Sequence, residues 1–153
     1  MSVYIKAMIN AYHLKSNDTS IYFICNYEYL TLSDIEYIVR YFYEKRYNIH
    51  NNVYEKIMDT ICVHKLVTME WMEKHSYIDW SKYDIILENP NITTETVEKY
   101  PEFNWKWEKM HKIKNLNEEF IERNIDNKWN WIELGEHNVN KHISLDFVLK
   151  HSE

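Results

Sequence analysis

From residue 33 onward the apolar positions recur at helical intervals. Ile35, Ile38, Val39 and Phe42 fall on one helical face, and Ser33 with Glu36 has the spacing of a capping box at its start. Asn52 with Glu55 repeats that signal ahead of Val53, Ile57 and Ile61, which again share a face. Earlier in the chain the pattern differs. The run Ile21-Tyr22-Phe23-Ile24-Cys25-Asn26-Tyr27-Glu28-Tyr29-Leu30 is aromatic and β-branched, and residues 16–20 have turn composition. These features favour a short β-hairpin with strands at 3–8 and 20–30; a buried short helix is the competing reading.

Beyond residue 66 one pattern occurs four times. It comprises an aliphatic residue, a capping residue, an acid three positions after the aliphatic, and an apolar residue two further on. Its copies are Val67, Thr68, Glu70, Met72; Ile92, Thr93, Glu95, Val97; Leu116, Asn117, Glu119, Ile121; and Ile143, Ser144, Asp146, Val148. Their starts lie 25, 24 and 27 residues apart. Thr, Asn or Ser at the N-cap accepts a bond from an otherwise unpaired N–H of the first turn. The acid meets the positive end of the helix dipole, and the two apolar residues form a hydrophobic staple.

A second element keeps the same period. Trp80, Trp105 and Trp129 each lie twelve residues after the caps Thr68, Thr93 and Asn117, and Ile85, Met110 and Leu134 follow five residues later. In the later two copies the tryptophan is doubled, as Trp105-Lys106-Trp107 and Trp129-Asn130-Trp131. The pattern predicts a helix, a short connection, a second helix beginning at the tryptophan, and a loop such as Asn89-Pro90-Asn91. The expected architecture is mainly α. A small Tyr-rich module over 1–66 precedes three and a half helical-hairpin repeats, a short α-solenoid with boundaries 67–91, 92–115, 116–142 and 143–153. In this reading one tryptophan per unit fills the space between helices and the other packs on the next unit.

Composition narrows the chemistry. One glycine and two prolines in 153 residues leave no material for glycine-cradled phosphate loops or for the tight hairpins of all-β folds. Aromatics reach 16%, and they divide the chain: no tyrosine follows Tyr100 and no tryptophan precedes Trp71. The formal net charge of -6 arises wholly after residue 66, so a duplex nucleic-acid face is disfavoured. Cys25 and Cys62 sit among apolar neighbours and read as core residues of a reduced compartment. No run reaches the ~18–20 apolar residues of a membrane span, and Met1-Ser2-Val3-Tyr4-Ile5-Lys6 lacks the blocks of a secretory signal. The expected location is intracellular, with no membrane partner.

The pattern Asn-Pro-Asn-Ile-Thr, an acid, then Trp-x-Trp-x-x-Leu resembles the short tryptophan-rich repeats of proteins from amoeba-infecting giant viruses. It stands here as Asn89-Pro90-Asn91-Ile92-Thr93-Thr94-Glu95, as Trp129-Asn130-Trp131-Ile132-Glu133-Leu134, and as Trp105-Lys106-Trp107-Glu108-Lys109-Met110. The likeness covers about 67–153 and nothing earlier. Abundant Asn, Ile, Lys and Tyr also suit the AT-rich genomes of such viruses. The family's usual proline before the first tryptophan is replaced by Asn104 and Lys128, its Leu-Ser by Leu134-Gly135, and Lys82 stands where the first copy's second tryptophan would be. The resemblance implies a viral, non-enzymatic repeat protein in the host cytoplasm or the virion, and it transfers no catalytic residue.

The sharper chemistries find little material. Cys62 with His64 and His75, or His137 with His142, supplies two or three metal ligands, without the paired spacing that brings ligands onto one face. Asp59, Cys62 and His64 lie too close in sequence to converge as orienter, nucleophile and base. The expectation is therefore no enzyme, no metal and no cofactor, but a scaffold for a viral or host protein, with homo-oligomerisation left open. Exposed residues that vary between copies are the candidate partner contacts: Lys82, Lys106, Lys109, Lys112 and Asn130. The aromatic N-terminal module, with Tyr27, Tyr29, Tyr41, Tyr43 and Tyr47, offers a second surface. The alternative is a nucleic-acid-binding accessory protein that stacks bases on Trp105 and Trp107 and meets phosphates with Lys106, Lys109, Lys112 and Lys114.

Overall fold

Residues 29–48, 51–136 and 142–152 are described in a computed structural model of the chain. Of the strands expected at 3–8 and 20–30, residues 3–8 and 20–28 lie outside the described residues, and Tyr29 and Leu30 belong to a turn and its exit. Helices dominate, with no strand among the described residues. The chain divides into two compact units, Met1–Val67 and Thr68–Glu153.

In the first unit, α1 (Leu32–Lys45) packs on α2 (Asn51–Cys62). Ile35, Ile38, Val39 and Phe42 from α1 and Val53, Ile57, Met58, Ile61 and Cys62 from α2 are buried. The capping box lies two residues before the pair expected at Ser33 and Glu36. Thr31 Oγ1 accepts the N–H of Asp34, and the Thr31 N–H donates to Asp34 Oδ2 at 3.1 Å. Asp34 is itself buried. Both pairs have the same chemistry and spacing; the earlier start brings Leu30 into the core. Likewise α2 begins at Asn51, which leaves Asn52 inside the first turn rather than capping it.

In the second unit the repeated pattern becomes repeated geometry. Its first helices are α3 (Met69–Lys74), α4 (Thr94–Lys99), α5 (Glu118–Arg123) and, after α6 described below, α7 (Leu145–His151). Their caps Thr68, Thr93, Asn117 and Ser144 accept, through the side chain, the N–H three residues on: Trp71, Thr96, Phe120 and Phe147. The cap carbonyls accept the next N–H, from Met72, Val97, Ile121 and Val148. The apolar residue before each cap and the one four after it are buried in all four copies. Each helix is held by local bonds at its start and by apolar burial along one side, because six or seven residues are too few to be stable alone.

The second arm differs from the expected α-helix in two of its three copies. In copy one it consists of the 3-10 turns Trp80–Lys82 and Asp84–Glu88, and in copy two of the 3-10 turn Trp107–Lys112. In both copies buried side chains recur at the interval of three that runs through and beyond these turns. Ile86, Asn89 and Ile92 in copy one, and Met110, Ile113 and Leu116 in copy two, are buried at intervals of three. In a 3-10 turn, with three residues per turn, side chains three apart eclipse on one side, whereas an α-helix would rotate them away. The backbone follows: Asn89 N–H donates to Ile86 O and Ile92 N–H to Asn89 O, and Ile113 and Leu116 repeat the pair on Met110 and Ile113. Ile86, not the expected Ile85, thus matches Met110, and one added residue after Trp80 accounts for the longer first interval. Copy three does form an α-helix, α6 (Trp131–Glu136). There Asn130 stands where copy two has Lys106, and its Oδ1 accepts the Glu133 N–H as a cap.

Candidate functional site

The tryptophans divide by position. The first of each copy turns inward and ties its arm to the preceding helix. Trp105 Nε1 donates to Tyr100 O at 2.9 Å and Trp129 Nε1 to Asn124 O at 2.8 Å. Trp80 Nε1 lies 3.1 Å from both His75 O and Met72 O. His75, Tyr100 and Asn124 all stand seven residues after their caps and form the C-caps of α3, α4 and α5. Each of these carbonyls also accepts the N–H three residues on, from Ile78, Phe103 and Asn127, so the indole adds a second donor while burying its ring.

The second tryptophan reaches the next copy. Trp107 stacks with Phe120 of α5, and Trp131 approaches Phe147 of α7 at 6.5 Å. Both phenylalanines occupy the position three after the cap. In copy one the second tryptophan is Lys82, and the matching position of copy two holds Thr96. The contact is thus present as an aromatic pair or replaced on both sides together.

Polar side chains bridge the same boundaries. Glu70 receives Lys99 Nζ at 2.9 Å and Tyr100 Oη at 3.0 Å, linking α3 to α4. Glu98 receives Arg123 Nη2 at 2.8 Å, linking α4 to α5. Asn115 accepts the Thr94 N–H and donates to Thr94 Oγ1 and Glu95 Oε2, so a residue of the loop before copy three caps the helix of copy two. Glu118 Oε1 receives both the N–H and the hydroxyl of Ser144 at 2.7 Å. On the other side, Lys112 pairs with Glu88 at 2.9 Å, arm to arm. Lys99, Tyr100 and a backbone contact together hold the Glu70 carboxyl down at about 2, against an ordinary 4.5. Hydrogen bonds to Ser144 lower that of Glu118.

These contacts relocate several of the candidate residues. Lys112 is committed to Glu88, and Asn130 caps α6 and is half-buried at the edge of an apolar groove. Lys82 is exposed and lies 3.5 Å from Asp79. Lys106 precedes the 3-10 turn of copy two, and it and Lys109 are partly exposed. Trp105 is buried with its indole N–H bonded, and Trp107 is partly exposed but stacked on Phe120. Lys114 is exposed. Trp105 therefore presents no open ring face, and Lys112 is already paired.

The titratable candidates are similarly placed. Burial, with Asp59 adding to it, pushes the Cys62 thiol far above its usual range, so it stays protonated and un-nucleophilic. Burial and then Lys65 lower the pKa of His64, whose Nδ1 accepts the Leu66 N–H. His75 stacks on Trp71 with ring centroids 3.9 Å apart. His142 is exposed, and His137 lies outside the described residues. Among the described residues no three His, Cys, Asp or Glu side chains gather as a metal site, and no helix is long and apolar enough to cross a membrane.

What the sequence did not single out is an apolar groove between α6 and α7. It encloses about 710 Å³ and is lined by Trp131, Ile132, Gly135, Leu145, Val148 and Leu149, among others. Ile132 is 72% exposed, and Leu145 and Leu149 are each 56% exposed. The signal was present as Leu149, which stands five after its cap where the other copies carry Glu73, Glu98 and Glu122. Comparison with known protein families, with curated proteins and with solved structures returns no match to the chain.

Proposed function

We propose that residues 68–153 form a short solenoid of stacked hairpin units and that the protein is a non-enzymatic scaffold for protein partners. The observation that carries this reading is the recurrence of one set of boundary contacts. Each passage from one copy to the next has a polar bridge, and the two after copy one's also have an aromatic pair. Side chains spent on such contacts are structural, and what remains for a partner is the rigid surface they support. Lys82, Lys106 and Lys109 are the cations of that surface assigned to the partner.

The likeness of the Trp-x-Trp and Asn-Pro-Asn-Ile-Thr motifs to giant-virus repeat proteins supports a virus-encoded accessory or virion-associated role, in the infected cytoplasm or the particle. It rests on those motif residues alone. The experiment is capture from infected cells and from purified virions with the tagged chain, compared with the triple variant Lys82→Glu, Lys106→Glu, Lys109→Glu. A partner retained by the parent chain and lost by the folded variant supports the reading. A salt-sensitive shift of single-stranded RNA, lost in the same variant, would overturn it in favour of nucleic-acid binding.

A further inference from the structure

The groove at α6 and α7 is the strongest candidate for a specific docking surface. All three exposed aliphatic side chains among the described residues of the second unit line it: Ile132, Leu145 and Leu149. Leu145 and Leu149 are one helical turn apart, so they present a single apolar strip.

The repeat gives this strip a meaning. Each first helix is met by the following copy at positions one, two or five after its cap. In copy one it is Glu70 at position two, in copy two Glu98 at position five, and in copy three Glu118 at position one; Asn115, at the end of copy two, meets Thr94 and Glu95 at positions one and two. In α7 those positions are Leu145, Asp146 and Leu149. Leu145 and Leu149 are exposed, and Leu149 stands where copy two carries Glu98.

We propose that this strip is the contact of a homodimer, formed by α7 and Ile132 packing on the same surface of a second copy of this chain. The charges on α7 fit that occupant. Asp146 lies in its first turn and Lys150 in its last. In an antiparallel pair related by a two-fold axis, Asp146 falls beside Lys150 of the partner subunit, and the reciprocal pair forms at the other end. The leucines then lie between two opposite-charge pairs, an apolar centre with a polar rim. The contact continues the side-by-side packing of first helices, so it rests on the stacked reading proposed above.

Sedimentation equilibrium of the full chain up to about 100 µM tests it, since a dimer with a micromolar dissociation constant is populated there. The parent chain is expected to dimerise. Leu149→Glu restores the acid that the other copies carry and is expected to weaken the dimer at least ~10-fold, by burying a charge at its centre. Ile132→Lys, at a more exposed site, is expected to do the same without touching α7. Leu32→Glu, on an exposed leucine of the first unit, is expected to leave the dimer intact. A monomeric parent chain overturns the proposal, as does a dimer indifferent to Leu149→Glu and Ile132→Lys. So does equal loss with Leu32→Glu, which marks indiscriminate apolar adhesion. Unchanged far-UV circular dichroism and tryptophan emission in the monomeric variants keep failure of the dimer distinct from failure of the stacked units.

Discussion

Trp107 and Phe120 lie across the boundary between the second and third copies with ring centroids 6.1 Å apart and planes 18° apart. Phe120 in turn meets Trp129 edge-on at 6.2 Å, and Trp107 meets Trp129 edge-on at 5.4 Å. Three rings thus close a cluster that contains the second tryptophan of one copy and the first tryptophan of the next. Aromatic pairs in these geometries contribute beyond their buried area.

A double-mutant cycle on Trp107→Ala and Phe120→Ala is expected to show a coupling of about 0.5–1.5 kcal/mol by urea unfolding. Phe120 is fully buried, so Phe120→Ala alone is expected to cost about 3–5 kcal/mol. Strictly additive effects would mean that the two rings do not bind the copies together.

Trp129→Ala is expected to cost about 3–5 kcal/mol as a large-to-small change in a packed interior. A loss below about 1 kcal/mol would place that indole on an available surface.

The indole N–H groups are separable from their rings. Trp105→Phe removes one of the two donors to the Tyr100 carbonyl, the Phe103 N–H remaining, and is expected to cost about 0.5–1.5 kcal/mol beyond the volume change. Trp71 makes the opposite case. Its Nε1 is buried with no hydrogen-bond partner, and Phe120 and Phe147 fill the equivalent position in later copies. Trp71→Phe is expected to cost less than Trp105→Phe in the same thermal or urea measurement, and the reverse order would refute the assignment of the bonded indoles.

Asn115 acts as a cap supplied from outside the helix it caps. Asn115→Ala is expected to cost about 1–2 kcal/mol, since the Thr94 N–H loses its acceptor. Asn115→Asp keeps that acceptor but loses the bonds donated to Thr94 and Glu95, and it sets a second negative charge beside Glu95, so it is expected to recover only part of the loss. Equal stability of all three chains would show that the bridge contributes nothing.

Acid is expected to loosen the second unit. The Glu70 carboxyl has a folded pKa of about 2 against an ordinary 4.5, with Lys99 the first cause. A depressed carboxyl binds fewer protons folded than unfolded, so its stabilisation is present above about pH 4.5 and is lost as pH falls toward 2. Glu95 and Glu118 are shifted in the same direction, Glu95 by Thr93 first and Glu118 by Ser144. Glu70 is exposed, so the effect is small and weakens with salt. Glu70→Gln is expected to flatten the pH dependence of the unfolding midpoint between 4.5 and 2, and an unchanged slope would sink the assignment.

The N-caps and their staples were readable before any coordinates, because each cap bond spans three residues and needs only Thr, Asn or Ser in place. The even spacing of Trp80, Trp105 and Trp129 was readable for a similar reason: each must meet a helix end seven residues after a cap. The type of the second arm was harder, because an interval of three between apolar residues also occurs on one face of an α-helix. At Ser33 and Thr31 two competing capping pairs have the same spacing, and only the burial of Leu30 and Asp34 chooses between them.

What the linear order of residues determined is whatever closes within one turn: the four caps and the staples; the arms of copies two and three begin at Trp107 and Trp131, two residues after the expected Trp105 and Trp129. Tertiary structure alone decided which residue meets Trp107, that Lys112 is spent on Glu88, and that Asn115 caps a helix that starts 21 residues before it. It also decided that Leu145 and Leu149 lie open beside Ile132. Local hydrogen bonds have one partner within reach, whereas an aromatic ring or a long charged side chain has many, and the choice among them is made by the packing of the next copy.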